Sequence, residues 1–195
     1  MQKIIHFNES KHSLENSLKK ASFILKQKPS AIIFENPKDS FNPNNLSRWE
    51  KTTKQHIKKY PWIKADLKII ESIKILKKKQ NVLLFNMDAP RKLTSLHEPI
   101  VKLQDRFYFD LWNLIRERYM SDCIKKAKQK IKGKILIFCH NSHWKNLRLL
   151  LTNKKIDIQK LYFKNSFDKN NHKINSNNNI ARTLKKYYSL LKIRL

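Results

Sequence analysis

The sequence predicts an α/β fold, with a Rossmann-like, mostly parallel sheet, helices on both faces of the sheet, and a basic C-terminal tail. Short apolar runs that are typical of buried strands alternate with longer segments in which apolar residues recur every three or four positions. Clusters of proline and asparagine separate these segments. Hydrophobic residues make up 40% of the 195 residues, which is enough for one core. Strands that alternate with helices favour a parallel sheet.

The first half of the chain contains three predicted strands. Ile4 and Ile5 mark the first strand, and the continuous apolar runs at 31–34 and 82–85 mark the other two. Apolar residues at helical spacing predict the intervening helices, and Pro29 ends the first of them. The predicted elements, in chain order, are strand 1–7, helix 10–28, strand 31–34, loop 36–45, helices 47–59 and 63–78, and strand 82–85.

The second half repeats this alternation. An aromatic run at 107–109 and the run Lys-Ile-Leu-Ile-Phe-Cys at 134–139 are typical of strands. The segment 165–179 contains seven asparagines and predicts a loop. The predicted elements are strand 107–109, helix 111–131, strand 134–139, helix 143–152, strand 160–163, loop 165–179 and a basic helix 180–193. We divide the chain into an N-terminal α/β segment 1–98, a candidate for completing the sheet, an α/β core 99–163, and a C-terminal loop and helix 164–195.

The charge of the chain indicates a polyanionic partner. Lys and Arg number 43 against 15 Asp and Glu, which gives a formal net charge of +28. Charge of this size repels itself unless an anion neutralises it. Nucleic acid is favoured over an acidic membrane surface, because no basic amphipathic helix has a strong aromatic face and no apolar run is long enough for a membrane span.

Composition also excludes several kinds of site. Gly133 is the only glycine, so the sequence contains no P-loop, no dinucleotide-binding glycine motif and no Gly-x-Ser-x-Gly nucleophile turn. Two cysteines favour a reducing compartment over a disulfide framework. The scarce carboxylates show no pair at catalytic spacing, so we predict no catalytic residue, no cofactor and no small-molecule substrate.

Basic residues are spread over much of the chain, in a pattern that suits RNA backbone on several sides. The predicted RNA-binding residues are Lys125, Lys126, Lys128, Lys130, Lys145, Arg148, Lys154, Lys155, Arg182, Lys185, Lys186, Lys192 and Arg194. Four aromatic residues have two alternatives, base stacking or core packing: Trp112, Trp144, Tyr187 and Tyr188.

Two clusters of polar residues also have alternatives. Cys139, His140 and His143 follow the clearest strand, where they are either metal ligands or a buried cysteine with two loop histidines. We predict no metal there, because three ligands on five residues lack a fourth. Arg116 and Glu117 lie in the longest predicted helix, and an ion-paired, exposed helix face is the ordinary interpretation of such charges.

From about residue 99 onward, the chain resembles the bacterial-type small-subunit ribosomal protein two family. Tyr108-Phe109-Asp110-Leu111 is similar to the family's Ile-Ile-Asp-Leu segment. The segment 132–138 is similar to its Gly-Gly-Lys-Ile-Leu-Phe-Val strand, with Gly133 at the second glycine. Leu161-Tyr162-Phe163 and the basic helix from Ile180 follow in the family's order, although its later glycine pair is absent.

This resemblance implies a structural protein of an organellar small ribosomal subunit. Its expected partners are rRNA and neighbouring ribosomal proteins, with no membrane. We expect it in the mitochondrial matrix, or alternatively in a plastid. The abundance of Lys, Asn and Ile is typical of an AT-rich genome, so the gene is a candidate for being organelle-encoded.

A second resemblance is to the TraB/pheromone-shutdown family, which is related to metal-dependent proteases. His6, the segment 29–35, Asn86-Met87-Asp88, the segment 116–120 and His143 occur in the order of that family's motifs. Lys3 and His140 replace the two glycines that precede its histidines. This resemblance implies a metal-dependent hydrolase with His6, Glu35 and His143 as ligands, or a degenerate member without catalysis.

Overall fold

The computed structural model describes residues 3–9, 14–37, 42–57, 64, 66–152, 161–162 and 179–190. Within these residues the protein is an α/β fold built on one four-stranded sheet, as the sequence predicts. The strands are β1 (Lys3–Asn8), β2 (Ala31–Pro37), β3 (Leu83–Asp88) and β4 (Lys134–Cys139). The helices are α1 (Leu14–Gln27), α2 (Leu46–His56), α3 (Asp66–Lys79), α4 (Arg91–Thr94), α5 (His97–Leu103), α6 (Arg106–Lys130), α7 (Asn141–Leu150) and α8 (Asn179–Leu190).

The four strands are parallel and lie in the order β1-β4-β2-β3. The last strand in the chain, β4, therefore lies between the first two. Ile135 pairs with Ile4 on one side and with Ala31 on the other. Strands from the predicted segment 1–98 and from the predicted core 99–163 form a single sheet.

Helices cover both faces of the sheet, as predicted. Alternate residues of β2 and β4 point to opposite faces, because the side-chain period of a strand is two. Ile32 and Phe138 pack with α1 and α3 on one face, and Ile33 and Ile137 pack with α6 and α7 on the other. These strand residues are buried, which explains their continuous apolar sequence.

A third apolar cluster lies around the first half of α6 and joins elements outside the sheet. Leu93 of α4, Ile100 of α5 and Leu184 of α8 pack there against residues such as Leu111. The Trp112 indole Nε1 donates a hydrogen bond of 2.8 Å to the Leu93 carbonyl. Both interactions fix the N-terminal half of α6.

Two predicted strands are wrong within the described residues. Phe107, Tyr108 and Phe109 lie in the first turn of α6 because Asp105 caps that helix, its carboxylate accepting a hydrogen bond from the Tyr108 N–H at 3.2 Å. Leu161 and Tyr162 are helical rather than extended. Loop residues 165–178 and residues 191–193 of the last predicted helix lie outside the described residues. No helix in the described ranges is both long and apolar enough to cross a bilayer.

Candidate active site

Polar and charged side chains meet at the carboxyl edge of the sheet. Glu35 lies near the end of β2, Asp88 ends β3, and β4 is followed by His140 and by His143 in the first turn of α7. The carboxyl ends of parallel strands share one edge, which is where α/β sheets bind ligands. Three distant parts of the sequence therefore meet in one place.

Arg116, in the middle of α6, occupies the centre of this group. Its Nε donates a hydrogen bond of 3.0 Å to Asp88 Oδ1, and its Nη2 donates to Asp88 Oδ2 and, at 3.3 Å, to Glu35 Oε1. The guanidinium also lies 4.5 Å from the ring centroid of Trp112. Burial alone would lower the pKa of Arg116, but the hydrogen bonds that it donates to Asp88 and the charges of Asp88, Glu35 and Glu117 raise it. Arg116 therefore stays charged although it is buried.

His143 is held beside Arg116 by two carboxylates. Its Nδ1 lies 2.8 Å from Glu117 Oε1, and its Nε2 lies 3.5 Å from both Glu35 Oε1 and Arg116 Nη1. Glu117 is buried and accepts a second hydrogen bond from the Tyr162 hydroxyl. A carboxylate accepts hydrogen bonds, so the His143 Nδ1 donates to Glu117, while Nε2 faces Glu35 and Arg116.

Tyr162 keeps its proton in this arrangement. Burial, followed by the negative charge of Glu117, raises the pKa of Tyr162 far above its usual value. The hydroxyl is thus a permanent donor to Glu117, and it fixes the carboxylate that orients His143.

A cavity of about 380 Å³ opens on this cluster. Its size is in the range of small-molecule sites. Its lining combines aromatic, amide and charged side chains: His97, Arg106, Phe109, Asp110, Trp112, Asn113, Arg116, Glu117, Ser142, His143, Asn146, Leu161 and Tyr162. The edge of the cluster is thereby accessible to a ligand.

The three metal ligands implied by the second resemblance do not converge. Glu35 and His143 are neighbours, but His6 Nε2 lies 3.0 Å from the Cys139 carbonyl oxygen, and the His6 ring stacks on Trp144 at 4.6 Å. In the described part of the chain, no group of three His, Cys, Asp or Glu side chains is arranged to hold a metal ion. The positive charge between Glu35 and Asp88 is the guanidinium of Arg116. These residues do not fit the expected metal centre.

The structure also gives different roles to Cys139, His140 and His143. Cys139 is fully buried, and desolvation raises the pKa of its thiol far above the usual value, so it is no nucleophile. The His140 side chain caps α7 and accepts a hydrogen bond of 3.2 Å from the Ser142 N–H. The backbone N–H of His140 donates to Glu35 Oε2 at 2.9 Å. Of the three side chains, His143 is the one that joins the charged cluster.

The predicted RNA-binding residues that the structure describes lie on three helices. Lys125 is half-buried. The others are exposed: Lys126, Lys128 and Lys130 on α6, Lys145 and Arg148 on α7, and Arg182, Lys185 and Lys186 on α8. Lys154, Lys155, Lys192 and Arg194 lie outside the described residues. Arg182 and Lys186 line one small cavity.

Aromatic residues mostly pack inside the protein. Trp112 is buried in the cluster around α6, and Tyr187 and Tyr188 pack at its margin. Trp144 packs at the margin of the core between α6 and the sheet.

The interpretation of Arg116 and Glu117 as an exposed ion-paired face is wrong, because both are buried. A signal for this was present in the sequence. Leu114, Glu117, Ser121 and Ile124 are spaced by three and four positions, so Glu117 lies on the buried stripe of the helix. The contribution of Tyr162 had no local signal, because its partner is 45 positions away.

The cluster combines a carboxylate-oriented histidine, a fixed guanidinium and an accessible cavity, which are components of a site for acid–base chemistry. Comparison of the chain with protein-family models, with curated proteins and with solved structures finds no match to any of them.

Proposed function

We propose that the protein is a hydrolase in which His143 activates a water molecule against an acyl bond. The observation that supports this proposal is the contact of Glu35, Asp88, Arg116, Glu117 and His143 in one cluster. Three of these residues, Arg116, Glu117 and His143, line the cavity. The same five residues lie in the motifs that resemble the TraB/pheromone-shutdown family, so the proposal takes up that resemblance without its metal.

The cost of burying these charges supports a functional role. Ionised side chains in a protein interior lose hydration, and replacing such groups by apolar residues is often neutral or stabilising. The chain has only 15 carboxylate side chains, yet Asp110 and Glu117 are buried in the lining of this cavity, and Asp88 is buried against Arg116. Titratable groups packed in a cleft in this way are typical of catalytic sites.

The chemistry follows from the hydrogen bonds of His143. Its Nε2 takes a proton from water as the water oxygen bonds to the acyl carbon, and Glu117 stabilises the resulting imidazolium. The imidazolium then returns the proton to the leaving group as the acyl bond breaks. Glu35, which lies 3.5 Å from Nε2, is placed to orient the water. Cys139 takes no part because its thiol stays protonated.

The test is hydrolysis of p-nitrophenyl acetate and butyrate by the full chain. His143→Ala removes the base, so kcat/KM should fall by at least about 100-fold. His56→Ala is the matched control because His56 is exposed on α2, and its activity should be unchanged. Equal activity of His143→Ala and the unmodified chain would refute the proposal.

A second variant tests the role of Glu117 separately from the role of His143 as the base. Glu117→Gln removes the charge that stabilises the imidazolium, so kcat should fall with little change in KM. Treatment with a chelator should leave activity unchanged, whereas its loss would indicate that a metal ion is required.

A second candidate function is a structural component of the mitochondrial small ribosomal subunit. The specific observation in its favour is the net charge of +28, with exposed Lys and Arg side chains on α6, α7 and α8. In this function the cations neutralise rRNA phosphates, and neighbouring ribosomal proteins are further partners.

Sedimentation of an organelle lysate tests this candidate. The chain should co-sediment with the small subunit at low salt and leave it at high salt, because phosphate contacts weaken as salt increases. Recovery of the chain only from soluble fractions at low salt would contradict it.

A further inference from the structure

A small basic cavity lies between α4 and α8, outside the His143 site. Its volume is about 220 Å³, and its lining residues are Lys92, Asn179, Arg182, Thr183, Lys186 and Tyr187. The lining contains three cationic side chains and no carboxylate. Elsewhere on the described surface, lysines such as Lys19, Lys54 and Lys68 form ion pairs with a nearby glutamate.

Both walls of the cavity are fixed by packing. Leu93, next to Lys92, is buried and accepts a hydrogen bond from Trp112 through its carbonyl. On α8, Ala181 and Leu184 are fully buried on the face opposite the exposed Arg182 and Lys186. The cations therefore extend from anchored helices.

One donor in this cavity, the Arg182 guanidinium, is held in place by a neighbour. The Arg182 Nη2 donates a hydrogen bond of 2.8 Å to Asn179 Oδ1, which orients the guanidinium. Tyr187, another lining residue, packs edge-on against Tyr119 at 6.1 Å between ring centroids, and this contact holds its ring in place. The lining thus offers a planar guanidinium and two ammonium groups, which are the donors that suit the several oxygens of a phosphate group.

We propose that this cavity binds a phosphate group through Lys92, Arg182 and Lys186. The chemistry is shared by two sources, a phosphorylated small molecule and the backbone of an RNA strand. The site is independent of His143, so loss of phosphate binding and loss of hydrolysis are separate results.

The test is equilibrium dialysis of the full chain against radiolabelled inorganic phosphate. The variant Lys92→Gln, Arg182→Gln, Lys186→Gln should weaken phosphate binding by at least about tenfold, because it removes three charge-assisted donors. The matched control Lys51→Gln, Lys78→Gln, Lys79→Gln removes the same charge from exposed positions on α2 and α3, and it should bind phosphate as the unmodified chain does. If the triple variant does not fold, as judged by circular dichroism, Lys186→Gln alone takes its place.

Competition with a single-stranded oligouridine RNA distinguishes the two sources. Displacement of phosphate by the RNA indicates a backbone phosphodiester, and saturable phosphate binding that the RNA leaves intact indicates a small phosphorylated molecule. Both results support the site. Equal phosphate binding by the two triple variants, or none by the unmodified chain, would overturn the proposal.

Discussion

Glu117 joins two separate parts of the molecule, because each of its carboxylate oxygens accepts a different hydrogen bond. Oε1 accepts a hydrogen bond from the imidazole of His143, and Oε2 accepts one from the hydroxyl of Tyr162. A change in the position of the Tyr162 hydroxyl would therefore alter the carboxylate that orients His143. At the scale of single residues, the orientation of the histidine depends on a side chain that lies outside the sheet.

His6 should make the stability of the fold depend on pH. Burial lowers the pKa of His6 below its usual 6.5, and this outweighs the effects of the Cys139 carbonyl and Glu9. The unfolded chain then binds the proton more readily, so stability is complete above about pH 6.5 and falls as the pH decreases below it. His6→Phe keeps a ring against Trp144 without titrating.

Urea unfolding near pH 7.5 and near pH 5.5 measures this effect. The difference in unfolding free energy between the two pH values should be smaller for His6→Phe than for the unmodified chain. His56→Phe, on the exposed surface of α2, should leave the difference unchanged. An identical pH dependence in His6→Phe would show that other groups cause it.

At the scale of elements, α6 connects the sheet to the outer helices. Met120 and Ile124 pack on the sheet, whereas Leu111 and Trp112 pack against α4, α5 and α8. Arg116 lies between these two stretches, so one helix fixes the position of the charged cluster relative to both. The turn after α6 is equally specific, because it contains the only glycine.

Gly133→Ala should destabilise the start of β4. Gly133 has φ +111°, which L side chains rarely adopt, and an added Cβ would lie 2.5 Å from Ser30 Oγ. We expect a loss of about 1–3 kcal/mol in unfolding free energy, measured by urea denaturation. Ser30→Ala in the same chain should recover the steric part of the loss and leave the conformational part. Lys132→Ala, at the exposed neighbour, should change stability by less than about 0.5 kcal/mol.

Sequence patterns predicted the sheet better than the charged site. The runs at 82–85 and 134–139 were recognisable because strands buried on both faces are continuously apolar. The run at 107–109 was misassigned because aromatic residues also occur in the first turn of a buried helix, where the cap at Asp105 is the more informative signal. The His143 cluster depends on the order of the strands and on Tyr162, and the local periodicity of the sequence predicts neither of them.

For the whole molecule, the distribution of charge matters more than its total. Several of the few carboxylates belong to the charged cluster. There Asp88, Glu117 and Glu35 form ion pairs with Arg116 or His143. The surface is left with a large excess of lysine. Self-repulsion of that excess opposes the compact state, and screening reduces it.

Added salt should therefore stabilise the protein. Raising NaCl from about 0.05 M to about 0.5 M shortens the screening length, and we expect the midpoint of thermal unfolding to increase by at least about 3 °C. The control variant Lys51→Gln, Lys78→Gln, Lys79→Gln should start from a higher midpoint and respond less. A midpoint that falls with salt would mean that the surface ion pairs outweigh the repulsion.

The strand order has a consequence for synthesis of the chain. β1 is made first, but in the described sheet its partner is β4, which is made last. During the interval, β2 and β3 can pair with each other while β1 keeps both backbone edges open, and open edges favour aggregation. When the segment 134–143 is added, β4 pairs with β1 and β2, and His143 then lies next to Glu35. A nascent chain that stops before residue 134 lacks both the strand that joins β1 to β2 and the candidate base.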